Sequence, residues 1–281
     1  MQKIQNVFIA PKDTIPETTL KFFTRAFFHY FISFFLIGSV IAQIYLFLTN
    51  EKAKKRADYP IYVLTLKYDT LMEEETYVTT KIFYANYFIM SIIYLIPATV
   101  IQLWYGYTSA KYSVNLAPKY KFQEFGVITT LMFVQIVVLC GIRDILTILT
   151  VCALMASSML FGYIQDRLSG VNIIHWDLSP HEWGYLAYIT LWGTAFAQLF
   201  RSVNSENYVL PSTTLITVFG AFFGHTLFAV VQYYFVVIPA KLGYERIDDD
   251  SIQEMDGAVQ ILGLLTKLWQ VWLPVFTLIQ E

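Results

Sequence analysis

The sequence predicts an all-α membrane protein: a bundle of seven transmembrane helices with a small β-hairpin in the loop between the first and second. Three observations predict it. Of 281 residues, 56% are hydrophobic and only 14% are charged, against about 25% charged in soluble domains. The apolar residues are gathered into long runs, several of about 18 residues or more, enough to cross a hydrocarbon core about 30 Å thick. Membrane barrels show alternating segments of about ten residues instead. Backbone groups in lipid need partners within their own segment, so these runs read as helices.

Taken in order, the apolar stretches fall at 22–49, 84–106, 118–142, 145–165, 183–203, 211–239 and 257–280. The first twenty residues hold no clean apolar stretch, so no signal peptide is expected and the first helix leads insertion. Pro97 and Pro274 are expected to kink the second and seventh helices, and Pro118 reads as a first-turn proline opening the third. Most connections are short, which makes neighbours antiparallel. The exception is the 50–82 loop, where YPIYVLTLKY and ETYVTTKI alternate bulky and polar residues and pair as a hairpin. The whole chain, 1–281, reads as one seven-helix domain. Cys140 and Cys152 lie inside apolar runs, which argues against a disulfide framework or a metal site.

The balance of 19 Lys+Arg against 21 Asp+Glu, net −2, gives no basis for nucleic-acid binding, and the partner implied is the lipid bilayer. With the amino terminus cytoplasmic, inside segments hold ten Lys+Arg and outside segments eight, six of these in the 50–82 loop. Leaving out that loop makes it ten against two, which places the amino terminus inside and the carboxyl terminus outside.

Ionisable residues inside spanning helices are costly and mark function. Away from helix ends the bundle holds His29, Glu124, His225 and Lys267. Lys267 lies about 15 Å into the last helix and Glu124 about 9 Å into the third, counted at the helical rise. Both helices start on the same membrane side, and lysine reaches back toward its helix amino terminus. His29 enters from that side too, so the three depths converge. An ordinary buried ion pair is one reading. The other is a covalent anchor: a desolvated lysine presents its amine to a carbonyl and forms a Schiff base. A protonated Schiff base in lipid needs a counter-ion, and Glu124 is the carboxylate at hand. Retinal proteins fit this pattern.

The order and spacing of motifs resemble the heliorhodopsins, seven-helix retinal proteins of inverted orientation. In KFQEFGVITTLM, Lys121, Phe122, Glu124, Phe125 and Met132 match the family's R-W-x-E-Y segment and following methionine. FGYIQD supplies Phe161, Gly162 and Asp166 for F-G-x-x-x-E, FAVVQ supplies Phe228 and Gln232 for F-A-x-N-Q, and LGLLTK ends at Lys267 as L-S-L-x-A-K does. His29 matches the family's first-helix histidine. Gly263 replaces a serine, Val231 an asparagine, and Tyr94 and Leu95 stand where a histidine is common. These departures reduce polarity or alter hydrogen bonding around the chromophore and mark a divergent branch.

Helical spacing places Glu124, Ile128, Leu131, Met132 and Gln135 on one face, and Gln260, Gly263, Lys267 and Gln270 on another. Trp192, Phe196 and Phe228 are candidates to flank a polyene, while His225 reads as a core histidine. Asp248, Asp249 and Asp250 read as a solvated charge run in the loop before the last helix. The resemblance implies a photoreceptor with all-trans retinal on Lys267 as a protonated Schiff base and Glu124 as counter-ion. It also implies a homodimer and a signalling partner of unspecified identity. The alternative is light-gated or light-driven proton transport through the same bundle, as some viral relatives perform. A carboxylate on each side of the Schiff base favours pumping, and Glu124 is the one mid-membrane carboxylate the apolar runs contain. No catalytic motif is present, so enzyme activity is not expected.

Overall fold

The computed structural model describes residues 19–69, 74–112, 117–169, 179–204, 213–238, 242 and 249–280. Among them are seven long helices, one short helix and a two-stranded antiparallel sheet: α1 (Thr19–Thr49), α2 (Glu51–Arg56), β1 (Asp58–Asp69), β2 (Glu74–Asn86), α3 (Tyr87–Tyr112), α4 (Ala117–Leu139), α5 (Ile145–Ser169), α6 (Ser179–Val203), α7 (Thr214–Gln232, continued by a π turn at Tyr233–Val237) and α8 (Asp249–Gln280). Six of the long helices are long and apolar enough to cross a membrane. α6 has comparable length but is the exception, since Ser179, His181, Glu182, Gln198 and Arg201 dilute its apolar character.

The hairpin lies where alternation predicts it, but it is longer. β2 stays paired with β1 as far as Asp58↔Asn86, with a bulge between Ile61 and Tyr62. Phe83 to Asn86 therefore belong to the strand, and the second long helix starts at Tyr87 instead of 84. Asn86 makes the junction: its Oδ1 accepts from the backbone of Phe88 (3.0 Å) and Ile89 (3.3 Å), satisfying donors that open a helix. Its Nδ2 donates to Asp58 Oδ1 (2.7 Å) and to the Lys54 carbonyl (3.2 Å), tying strand, α2 and α3 together. The hairpin docks on the α4–α5 turn through Tyr62 N to the Arg143 carbonyl (2.9 Å) and the Arg143 guanidinium over the Tyr59 ring (4.5 Å). That turn ends α4 at Leu139, not 142, and needs Gly141, whose φ of +93° favours glycine.

The largest departure is at the last helix, which begins at Asp249, eight residues before the expected 257. Acidic residues suit a helix amino terminus, and the polar turns that follow continue a helix without adding to an apolar run. The 240–256 loop is accordingly helical from Asp249. Asp248 and the side chains of Asp249, Asp250 and Asp166 lie outside what is described. Pro97 and Pro274 sit inside unbroken helices. Two apolar clusters fill the bundle: one joins α4, α5, α6 and α7 with the base of the hairpin, and the other joins α1, α3, α4 and α8.

Candidate functional site

Lys267 and Glu124 meet between α8 and α4, Nζ 3.9 Å from Oε1, with 4% and 1% of their side chains exposed. The hub beside them is Gln102 of α3. Its Nε2 donates to Glu124 Oε1 (3.0 Å) and to Gln260 Oε1 (2.7 Å), and its Oε1 lies 2.8 Å from His29 Nδ1. With the amide nitrogen committed to two acceptors, the oxygen is left to accept, so Nδ1 of His29 carries the proton. The His29 ring meets the edge of Tyr105, centroids 5.4 Å apart. Glu124 Oε2 has no hydrogen-bond partner among the described residues.

On the other flank, Lys267 Nζ stands 5.7 Å from the centre of the Phe125 ring, which packs edge-on against Phe228 at 5.0 Å. Gly263 completes this corner. A Cβ there would lie 3.3 Å from Phe125 and 3.5 Å from Lys267 Nζ, so glycine leaves space beside the amine. Behind Phe125 and Phe228 a cavity runs between α4, α5, α6 and α7, lined in part by Thr129, Ser158, Tyr188, His225 and Gln232. Gly162 packs on the Phe122 ring so closely that a side chain would displace it.

The predicted residues divide into groups. Lys267, Glu124, Phe125, Phe228 and Gly263 surround the amine, and His29 joins through Gln102. Ile128 and Met132 are buried on the adjoining face of α4, packed with α1, α3 and α8. Trp192 and Phe196 stand together farther off, ring centroids 5.6 Å apart, and Trp192 also meets His225 at 5.8 Å. Trp192 Nε1 and His225 Nδ1 are both without a partner among the described residues. Gln232 lines the cavity and not the amine.

Beyond Lys267 toward the carboxyl end of α8, a network of uncharged polar groups joins α8, α4 and α3 among the described residues. Gln270 Nε2 donates to Gln135 Oε1 (2.9 Å) and to the Met132 carbonyl (2.7 Å). Gln135 Nε2 donates to Ser91 Oγ (2.7 Å) and to the Tyr87 carbonyl (3.2 Å), while Tyr94 donates to Gln135 Oε1 (3.3 Å) and Tyr87 to the Gln270 carbonyl. Tyr94 thus has a hydrogen bond of its own at the helix position where a histidine is common.

Sequence reasoning missed two members. Gln102 is a lone amide in an apolar helix, invisible to a search for ionisable groups. Asp256 was assigned to a loop, yet it is buried within α8. Glu124 is therefore not the sole carboxylate inside the bundle. Cys140 and Cys152 are free and buried, and no three potential metal ligands cluster among the described residues.

Comparison with protein families gives a match to the heliorhodopsin model over residues 27–237, which takes in His29, the hairpin, Gln102, Glu124 and Phe228 and stops before α8. Comparison with curated proteins gives no match. The match covers well over half of the chain, and the architecture agrees with it: this chain belongs to the heliorhodopsin family and is an integral, multi-pass, retinal-binding membrane protein of the light-receptor type.

Proposed function

We propose that the protein is a photoreceptor holding all-trans retinal on Lys267 as a protonated Schiff base, with Glu124 as counter-ion. The observation that carries this reading is the buried Lys267–Glu124 pair, 3.9 Å apart, in a bundle that offers the amine an apolar wall and open space at Gly263. The residues fit the chromophore in a second respect. Among the described residues Glu124 Oε2 is a buried acceptor without a hydrogen-bond partner, and such a group is costly unless a donor uses it. When bound, retinal supplies visible absorption and light-driven isomerisation about its polyene.

The chain's own residues do the rest. Lys121 and Lys267 are the buried lysines among the described residues, and Lys267 is the one whose amine meets Glu124. With retinal bound, Glu124 would balance a positive charge on the Lys267 nitrogen, 3.9 Å away, and would be the carboxylate beside it to take up a proton. Gln102 fixes the Glu124 carboxylate and links it to His29. Phe125 and Phe228 exclude water, and Ile128, Met132, Trp192 and Phe196 shape the room beyond. We place the amino terminus in the cytoplasm and the carboxyl terminus outside, on the lysine and arginine distribution, in a single retinal-binding domain that forms a homodimer and acts on a signalling partner. The uncharged network beyond Lys267 favours signalling over pumping.

The test is to add all-trans retinal to the expressed protein and record the visible spectrum. Wild type gains a visible band. Lys267→Ala does not, while a Lys267→Ala/Glu124→Gln double variant, which removes both members of the buried pair, stays equally colourless and folded. Colour surviving in either variant overturns the assignment of the anchor.

A further inference from the structure

The cavity behind Phe125 and Phe228 holds polar atoms that a hydrocarbon cannot satisfy. Both phenylalanines border the amine: a Cβ at Gly263 would lie 3.3 Å from Phe125, 3.7 Å from Phe228 and 3.5 Å from Lys267 Nζ. The same two side chains line the cavity between α4, α5, α6 and α7, so cavity and amine share a wall. Two polar groups of the lining are satisfied: Ser158 Oγ donates to the Gly184 carbonyl (2.9 Å), and the Tyr188 hydroxyl meets Thr226 Oγ1 (3.0 Å). Two others are not. His225 Nδ1 and the Tyr185 hydroxyl are buried atoms with no hydrogen-bond partner among the described residues. His225 is 5% exposed, and it lines the cavity with Phe228, Ala229 and Gln232, at spacings of three, four and seven residues, as one face of α7. Its ring is held against Trp192 of α6, centroids 5.8 Å apart. Tyr185 comes from α6 too, with its ring stacked on His181 at 6.1 Å.

We propose that this cavity selects a retinal whose ring carries an oxygen, as a hydroxyl or a ketone, with His225 as its main polar contact and Tyr185 as the second. This rests on the photoreceptor reading above and names the ligand class of the same site. With a retinal joined to Lys267 by its aldehyde carbon, the room for the ring is this cavity, past Phe125 and Phe228. A buried donor or acceptor left unmet is costly, and the plain ring of retinal is a hydrocarbon that meets neither atom. Neutral imidazole has one nitrogen that donates and one that accepts, and a phenol hydroxyl does both. A ring hydroxyl can donate to either group or accept from it, and a ring ketone can accept from either. The aromatic walls from Phe125, Phe228 and Trp192 suit the rest of the ring, so an oxygen is the one addition the lining calls for.

The test is a competition. Wild-type protein expressed without chromophore is equilibrated with an equimolar mixture of all-trans retinal and its 4-hydroxy derivative, with the 3-hydroxy and 4-oxo derivatives in separate runs. The bound aldehydes are released with hydroxylamine and separated by chromatography. Wild type should hold at least one oxygenated aldehyde over retinal by on the order of three- to tenfold, the worth of one net hydrogen bond. His225→Phe keeps an aromatic ring and removes both nitrogens, so its ratio should fall to about one, and Tyr185→Phe should lower the ratio by a smaller factor. Each protein is read as a ratio, so a change in total uptake does not enter. A wild-type ratio of about one or below for all three derivatives overturns the proposal, whether or not the variants fold. So does a wild-type preference that survives unchanged in folded His225→Phe. If wild type gains no visible band with retinal or with any derivative, the photoreceptor reading fails first and separately.

Discussion

Glu124 is the residue on which the electrostatics turn. Glu124→Gln removes the charge and nearly keeps the shape, and Gln102 can still donate to the amide oxygen. The bound imine should then lose its proton at a pH lower by roughly one unit or more, each unit corresponding to about 1.4 kcal/mol. Where the proton remains, absorption should move to the red. Gly263 sharpens this titration because no hydroxyl stands one turn before Lys267, and a His29→Ala background removes one further compensating group. An unchanged spectrum and titration would assign the counter-ion elsewhere. Outside the membrane, Asp144 makes a second residue-scale prediction. It accepts at 2.8 Å from both the backbone and the hydroxyl of Thr147, capping α5. Burial pushes the Asp144 carboxyl up, but those hydrogen bonds outweigh it and hold it below the usual carboxylate value. The stabilisation is therefore full above that usual value, about 3.9, and is lost as pH falls through the depressed one. Asp144→Ala should cost about 1 kcal/mol at neutral pH, and the difference in Tm from wild type should vanish in acid.

At the scale of elements, the junctions matter more than the spans. Asn86 ends β2, caps α3 and holds α2, so Asn86→Ala should destabilise by about 1–2 kcal/mol in thermal unfolding with little change of colour. A large colour change would show that the hairpin junction reaches the site. The helices were legible because lipid demands long apolar runs. Their ends were not, because polar turns such as Asp249 to Asp256 continue a helix outside the run that announces it. The same blindness hid two members of the site. Lys267, Glu124 and His29 converge from depth alone, whereas Gln102 carries no charge to betray it and Asp256 fell beyond the assumed helix start. Tyr84 to Asn86 show the complementary error: the start of the apolar stretch belongs to a strand.

For the whole molecule, the inverted orientation predicts that tags at the two termini label only at the carboxyl end in unpermeabilised cells, and amino-terminal labelling would reverse it. The uncharged network beyond Lys267 predicts no sustained light-driven current against a gradient in a voltage-clamped cell, while a current that follows the proton gradient would favour the transport alternative. The second prediction rests on retinal being joined to Lys267, which lies beyond the segment that the family match covers. Borohydride reduction of the coloured protein makes that bond permanent, and peptide mass analysis then locates it. The retinyl group should be found on the peptide carrying Lys267 and on no other lysine; its recovery on a different residue, or on none, would contradict the account.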